Sequence, residues 1–179
     1  FINDVSKGHN QGVRTGTTWS QLASGLWVIS LNGAADYVTV PFASFLTNTG
    51  TYEVWLRGSA SGSFLTVGDV APALTNIINF YFDNVNTRLD CDAYIAGAYS
   101  LRFQTAIGTV PSAVWTHVII KSDGSTITVN INGVPVSLTI ISGANSGQWF
   151  SDLSNVDNAV MGAENRAGAL GHAGHHGRA

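Results

Sequence analysis

The sequence predicts an all-β chain folded as a two-sheet antiparallel sandwich, and three observations predict it. Three β-branched runs between Trp115 and Ile140, WTHVIIKSDGSTITVNINGVPVSLTI, are separated by the turn signals Asp123-Gly124 and Asn132-Gly133. Aligned as a meander, these runs put Val, Ile and Leu on one face and Thr, Ser and Asn on the other. The rest of the chain offers further period-two segments and no amphipathic helix, so the cover for that apolar face is a second sheet.

The register of the meander follows from its turns. A two-residue loop at Asn132-Gly133 sets Ile131 opposite Val134, Val129 opposite Val136 and Ile127 opposite Leu138. Closing the first loop on Asp123-Gly124 sets Ile120 opposite Ile127 and Val118 opposite Val129. Pro135 then falls opposite Asn130 with its missing N–H turned away, which calls for a sheet edge or a bulge on its other side.

In chain order, residues 1–25 read as loop-rich, with an edge strand at Phe1-Ile2. Residues 26–31 form a strand, which Asn32-Gly33 turns into a second one at 37–40, closed by Pro41. The connection 41–50 is the one place where a helical turn fits. Residues 51–57 alternate, with Tyr52, Val54 and Leu56 on one face and Glu53, Trp55 and Arg57 on the other. Strands follow at 63–67, 76–82, 88–95 and 99–104, each bounded by Gly, Pro, Asn or Asp. After the meander come a loop at 143–147, a short strand or loop anchor at 148–150 and a last clear strand at 159–162. Residues 1–168 are expected to form one domain and 169–179 a flexible Gly/His-rich tail.

Composition narrows the partners. With 179 residues the chain suits one well-buried core. Only 11% of residues are charged and the net charge is −3, which supplies no footprint for a phosphate backbone and excludes nucleic acid as the expected partner. No apolar run reaches the ~18 residues of a membrane span. The single cysteine, Cys91, has no intrachain partner and reads as a buried strand residue rather than a nucleophile. The chain opens at Phe1 rather than methionine, as a fragment or a processed form would.

Four strings in order, LNGAADYVTVP (31–41), TYEVWLR (51–57), WTHVIIKSDGSTITVNINGVPV (115–136) and VMGAENRAG (160–168), resemble the successive signatures of laminin G-like domains in the concanavalin A-like lectin/glucanase group. The resemblance spans about residues 26–168 and implies a jelly-roll form of the sandwich. It also implies an extracellular, cell-surface or virion setting, recognition of a glycan or a protein, and often a bound calcium. The chain departs from the pattern at its end, where GALGHAGHHGRA stands in place of a short closing strand. That strand is absent, truncated or supplied by something else. An edge left open in this way is a place for a neighbouring subunit to pair, as an oligomer would.

Each chemistry-bearing residue type also has a structural role open to it. Glycoside hydrolysis needs two carboxyl groups flanking the bond, and the only glutamates, Glu53 and Glu164, are far apart with no carboxylates at strand spacing beside them. His117 has no evident orienting carboxylate and reads as a strand histidine bonded to its neighbours. His172, His175 and His176 could grip a metal only if helical, and Gly171, Gly174 and Gly177 oppose a helix. Calcium has two oxygen-rich candidate stretches: Asp83, Asn84, Asn86, Asp90 and Asp92, and the favoured set Asp152, Asn155, Asp157 and Asn158. Both also suit turns. Tyr94, Tyr99 and Trp149, near Gly-rich loops, are the candidate sugar platforms, whereas Trp19, Trp27, Trp55 and Trp115 are assigned to the core. The expected function is a non-enzymatic carbohydrate- or protein-binding module. Its alternatives are a structural or decoration domain of a phage particle and a polysaccharide-degrading glycosidase.

Overall fold

The computed structural model describes residues 10–43, 46–69, 75–166 and 169–171. In chain order the strands are β1 (Val13–Thr15), β2 (Thr18–Gln21), β3 (Trp27–Ser30), β4 (Tyr37–Thr39), β5 (Gly50–Leu56), β6 (Gly62–Gly68), β7 (Ile77–Asp83) and β8 (Arg88–Ile95). They continue with β9 (Ala98–Thr105), β10 (Thr116–Ser122), β11 (Ile127–Ile131), β12 (Val134–Val136), β13 (Leu138–Gly143), β14 (Asn158–Met161), β15 (Glu164–Arg166) and β16 (Ala169–Gly171). An eight-stranded sheet has the order β1-β4-β14-β6-β7-β8-β9-β13, and a four-stranded sheet the order β12-β11-β10-β5. Two hairpins, β2 with β3 and β15 with β16, complete the described strands.

The sandwich forms because alternation gives each sheet one apolar face. In the larger sheet, Leu65, Phe80, Cys91 and Phe103 stand side by side on adjacent strands, as do Val67, Ile78, Ala93 and Leu101. In the smaller sheet, Val118, Ile120, Ile127, Val129 and Ile131 are buried against them in one continuous cluster. An aromatic group ties the layers together. Phe80 is fully buried, with Tyr52, Phe64, Trp149 and Phe150 at ring-centroid distances of 5.9, 6.1, 6.1 and 6.2 Å. Gly50 opens β5 because a Cβ there would lie 2.8 Å from Trp149 Nε1.

The turns show how far the expected register holds. Asn132 and Gly133 take φ of 51° and 80°, the left-handed pair that a two-residue hairpin loop requires, and Ile131 meets Val134, Val129 meets Val136 and Asn130 meets Pro135. The first turn differs from expectation by two residues. Ser122 pairs with Ile127, Ile120 with Val129 and Val118 with Ile131. Asp123 Oδ1 accepts the N–H groups of Ser125 and Thr126 at 2.8 Å each, and this side-chain closure makes a four-residue loop in place of a two-residue one. The same bonds hold the Asp123 carboxyl below its ordinary range. A slip of two keeps every side chain on its face, so the core set is unchanged.

The third expected pair, Ile127 with Leu138, does not form. β12 ends at Val136 and the chain changes sheets, so that Leu138 pairs with Thr105 of β9. β12 is the rim of its sheet, which gives Pro135 the edge it needs. β5 is the other rim, and no described strand lies beyond it.

Other differences have local causes. The turn after Asn32-Gly33 does not close a hairpin: β3 pairs with β2, while β4 lies between β1 and β14. β1 and β2 fall in the stretch expected to be loop, because their short polar sequences carry little alternation. The stretch 148–150 leads into a 3-10 turn at Phe150–Asp152 rather than a strand. The tail does not start as free chain, since Ala169–Gly171 pairs with Glu164–Arg166, a backbone ladder that needs no large side chains. The expected strand at Phe1-Ile2, part of the 41–50 connection and the tail histidines lie outside the described residues.

Two substitutions test this core. Phe80→Ala is expected to cost about 3–5 kcal/mol in urea denaturation, because it empties the centre of the aromatic group. Tyr52 buries its hydroxyl without a hydrogen-bond partner among the described residues, and burial pushes its phenol well up. Tyr52→Phe should therefore leave stability unchanged or raise it by about 1 kcal/mol.

Candidate functional site

The face of the larger sheet that points away from the core is polar along its middle strands. One row crosses all eight strands: Val13, Thr39, Val160, Thr66, Asn79, Asp92, Arg102 and Ser142. Beside it run Tyr81, Asp90, Gln104 and Thr139, and then Asp83 with Arg88. Each of these on β7, β8 and β9 alternates with a core residue, so the period that builds the core also builds this surface.

Charges on this face are covered and therefore paired. Asp92 is 3% exposed and Arg102 Nε lies 2.8 Å from its Oδ1. Arg88 Nε lies 3.0 Å from Asp90 Oδ1 and 3.3 Å from Asp83 Oδ2, and Gln104 Nε2 donates to Asp90 Oδ2 at 3.4 Å. Burial raises the Asp83 carboxyl, but hydrogen bonds from the Asn86 side chain and backbone, the Arg88 charge and the Val85 N–H outweigh it and leave it below its ordinary value. Tyr81 is pushed up by burial against a lowering hydrogen bond with Ser61, and Asp83, Asp90 and Glu164 add to the rise. On the core side of β8, burial first and then Asp92 and Asp90 hold the Cys91 thiol well up and protonated.

The floor opens toward β9. Asn79 and Asp92 are buried, whereas the Arg102 side chain is 24% exposed and Tyr94 and Tyr99 are half-buried. A register shift between Ala93 and Tyr94 sets Tyr94 opposite Tyr99; without it Tyr99 would oppose Ile95. Their rings meet edge to face at 5.1 Å, and the Arg102 guanidinium lies 5.0 Å from the Tyr99 centroid. Toward β6 the face is covered: Thr66 Oγ1 is within hydrogen-bond distance of Ala163 O at 3.1 Å, and Glu164 is buried.

The structure brings together two of the three expected sugar platforms, Tyr94 and Tyr99. Trp149 is corrected to the core. It is 2% exposed and packs on Phe80 and Phe150, so no ring face is left for a ligand. The core assignment of three other tryptophans is corrected too, with Trp19, Trp27 and Trp55 exposed by 44, 57 and 61%. His117, expected to lack a carboxylate, has Glu53 Oε1 at 2.7 Å from Nε2.

The favoured calcium residues serve the loops they occupy. Asp152 Oδ2 accepts the Trp149 N–H, and the Asn158 amide donates to Gly68 O and to Asp157 Oδ1. Asn155 takes a left-handed φ of 55°. Asp157 and Asn158 also line an open groove of about 260 Å³ with Gln11, Val13, Thr39, Val40, Pro41 and Phe42. In the second stretch, Asp83 closes its turn by accepting from Val85 and Asn86, while Asp90 and Asp92 are mid-strand partners of arginines. No group of three or more His, Cys, Asp or Glu able to hold a metal occurs among the described residues. Residue type alone does not mark Arg88, Arg102 and Gln104 as site residues. Their signal was present in the alternation of polar and apolar residues along 88–95 and 98–105.

Comparison with solved structures finds the same fold in several sugar-active proteins. The carbohydrate-binding CBM40 of the Ruminococcus gnavus IT-sialidase, bound to α2,3-sialyllactose, is similar at a TM-score of 0.59 and 19% identity, covering 70% of this chain and 69% of that one. Domain 4 of AbnA, a GH43 extracellular arabinanase from Geobacillus stearothermophilus in complex with arabinotriose, is similar at a TM-score of 0.62 and 16% identity, covering 93% of this chain and 81% of that one. The NanB sialidase of Streptococcus pneumoniae, as its K499G mutant, is similar at a TM-score of 0.63 and 14% identity, covering 90% of this chain but only 24% of that one. None of the curated proteins matches the chain. The family profile described as the concanavalin A-like lectin/glucanases superfamily matches residues 32–171, most of the chain, and the protein belongs to that superfamily.

Proposed function

We propose that the chain is a non-enzymatic carbohydrate-binding module of an extracellular or surface-exposed protein, with the sugar seated at the open end of the polar sheet face, on Tyr94, Tyr99, Arg102 and Gln104. The observation that carries this reading is the Arg102 guanidinium held between the Asp92 carboxylate and the Tyr99 ring. A fixed planar donor beside an aromatic face suits a ligand with hydroxyls at its rim and C–H groups on its flat side. The sialyllactose-bound and arabinotriose-bound neighbours are consistent with it.

Charge selects among sugars. The described face holds the carboxylates of Asp83, Asp90, Asp92 and Glu164 against the guanidiniums of Arg88 and Arg102, an excess of negative charge that favours a neutral, hydroxyl-rich glycan over an anionic one. The same pairing removes Asp83 as a candidate general acid. A general acid for glycoside cleavage needs a raised pKa, and Asp83 is shifted downward.

Titration calorimetry with arabinotriose and with α2,3-sialyllactose tests the reading. Binding is expected for the neutral sugar, and Tyr99→Ala should weaken it by roughly tenfold, the scale of one lost ring contact. No heat with either sugar or with a wider glycan array would overturn the reading, and release of reducing sugar would restore the glycosidase alternative. Repeating the titration in calcium chloride and in EDTA tests the loop carrying Asp152, Asn155, Asp157 and Asn158 as a metal site. Arg102→Ala should also destabilise the fold by about 3 kcal/mol in denaturant titration, because it removes the guanidinium that offsets the charge of the buried Asp92 carboxylate.

A further inference from the structure

The outer face of the smaller sheet carries an arrangement that the first site does not use. Glu53, Trp55 and Arg57 follow one another at every second residue along β5 and just past its end, so their side chains share a face at intervals of about 6.6 Å. Trp55 is 61% exposed although it sits in regular strand. Its position is fixed from the side: it pairs in register with His117 on the neighbouring strand, and the two rings stack at 4.8 Å with an interplanar angle of 20°. His117 is held in turn by Glu53 Oε1 at 2.7 Å and, through its backbone N–H, by Asn132 Oδ1 at 2.9 Å. Arg57 is anchored by its Nε–H donating to Ala113 O at 2.9 Å. One face of the indole is therefore stacked on His117, the rest of the ring is exposed, and Trp55 stands between Glu53 and Arg57 in the row along β5.

We propose that this triad is a second sugar-binding platform, taking one pyranose unit of a neutral glycan on the exposed part of the Trp55 ring, with Glu53 and Arg57 bonding hydroxyls on either side. The chemistry matches on three counts. An indole stacks on the C–H face of a pyranose ring, and planar carboxylate and guanidinium groups each reach two neighbouring hydroxyls. Both flanking groups are already ordered by contacts within the protein, which lowers the entropy lost on binding. The footprint is also that of a sugar rather than of a protein. Around the indole the same face shows Thr51, Lys121 and Thr128 exposed, with Ile119 half-buried, so the surround is mainly polar where a stable protein interface has a broad apolar centre. The sandwich core lies between this platform and the Arg102 face. The proposal thus does not depend on the first site, and together the two would let one module engage a polymer at two points or bridge two chains.

The test uses the full chain in affinity electrophoresis through gels containing arabinan, xylan or mixed-linkage β-glucan. Wild type, Trp55→Ala, Trp55→Phe, Tyr99→Ala and the Trp55→Ala/Tyr99→Ala double variant are compared, with melting temperature as the check on folding. The expected result is that Trp55→Ala loses at least tenfold in retardation constant on one of these polymers at an unchanged melting temperature. Trp55→Phe should keep most of the binding, and the double variant should lose more than either single one. Retardation of Trp55→Ala equal to wild type on every polymer overturns the proposal. So does a Trp55→Ala variant whose only change is loss of concentration-dependent self-association in sedimentation, which would make the platform a protein contact. A loss in Trp55→Ala with none in Tyr99→Ala would uphold this platform and refute the site at Tyr99, so the two readings fail separately.

Discussion

The middle strands of the larger sheet are buried on both faces, and that constraint governs the molecule. β7 has no exposed residue at all. A strand in that position has two ways to satisfy its side chains, and this chain uses both: Ile78, Phe80 and Phe82 pack inward while Asn79, Tyr81 and Asp83 point outward into a network of hydrogen bonds and ion pairs. The outward network is costly to assemble, because each carboxylate loses its water, and it is tolerable only with a guanidinium or amide supplied at the matching register position. Arg102 opposite Asp92, and Arg88 opposite Asp83, meet that condition. The pairing fixes strand register from the polar side as firmly as Phe80 and Phe103 fix it from the apolar side.

Such a face differs from the outer surface of an ordinary antiparallel sheet, which is simply wetted. Here a preformed polar floor lies under partial cover and opens beside two tyrosines. In the proposed site, recognition and stability would draw on the same side chains, and only Tyr94 and Tyr99 at the open end can vary without taking a partner from a buried charge.

Much of the fold was legible in the sequence, and the reasons are specific. The Asn132-Gly133 turn demands left-handed backbone at two successive positions, and few residue pairs tolerate it, so its register could be read directly. Asp123-Gly124 looked equivalent but was not, because the aspartate side chain can close a longer loop by itself and dipeptide identity does not reveal which closure wins. The site was less legible. Alternation showed that Trp55 and Trp149 would each lie on some face, but not which faces would be covered; that depends on strand order, which a sequence pattern does not encode. Trp149 is captured by the aromatic group around Phe80, whereas Trp55 is turned outward by the very alternation that buries Tyr52 and Val54. The ion pairs of Asp90 and Asp92 were hidden for the same reason: without strand order, two acidic residues near a turn look like turn residues.

The two rims of the smaller sheet are unequal, and this limits how copies of the protein could join. Pro135 removes a donor from the β12 rim, so that side is poor at templating a further strand, while β5 carries no proline and has no described strand beyond it. Joining through this sheet is therefore one-sided. Two molecules meeting β5 against β5 would use up that rim of each and leave this sheet only its proline-bearing border, so growth through this sheet alone terminates at a symmetric pair.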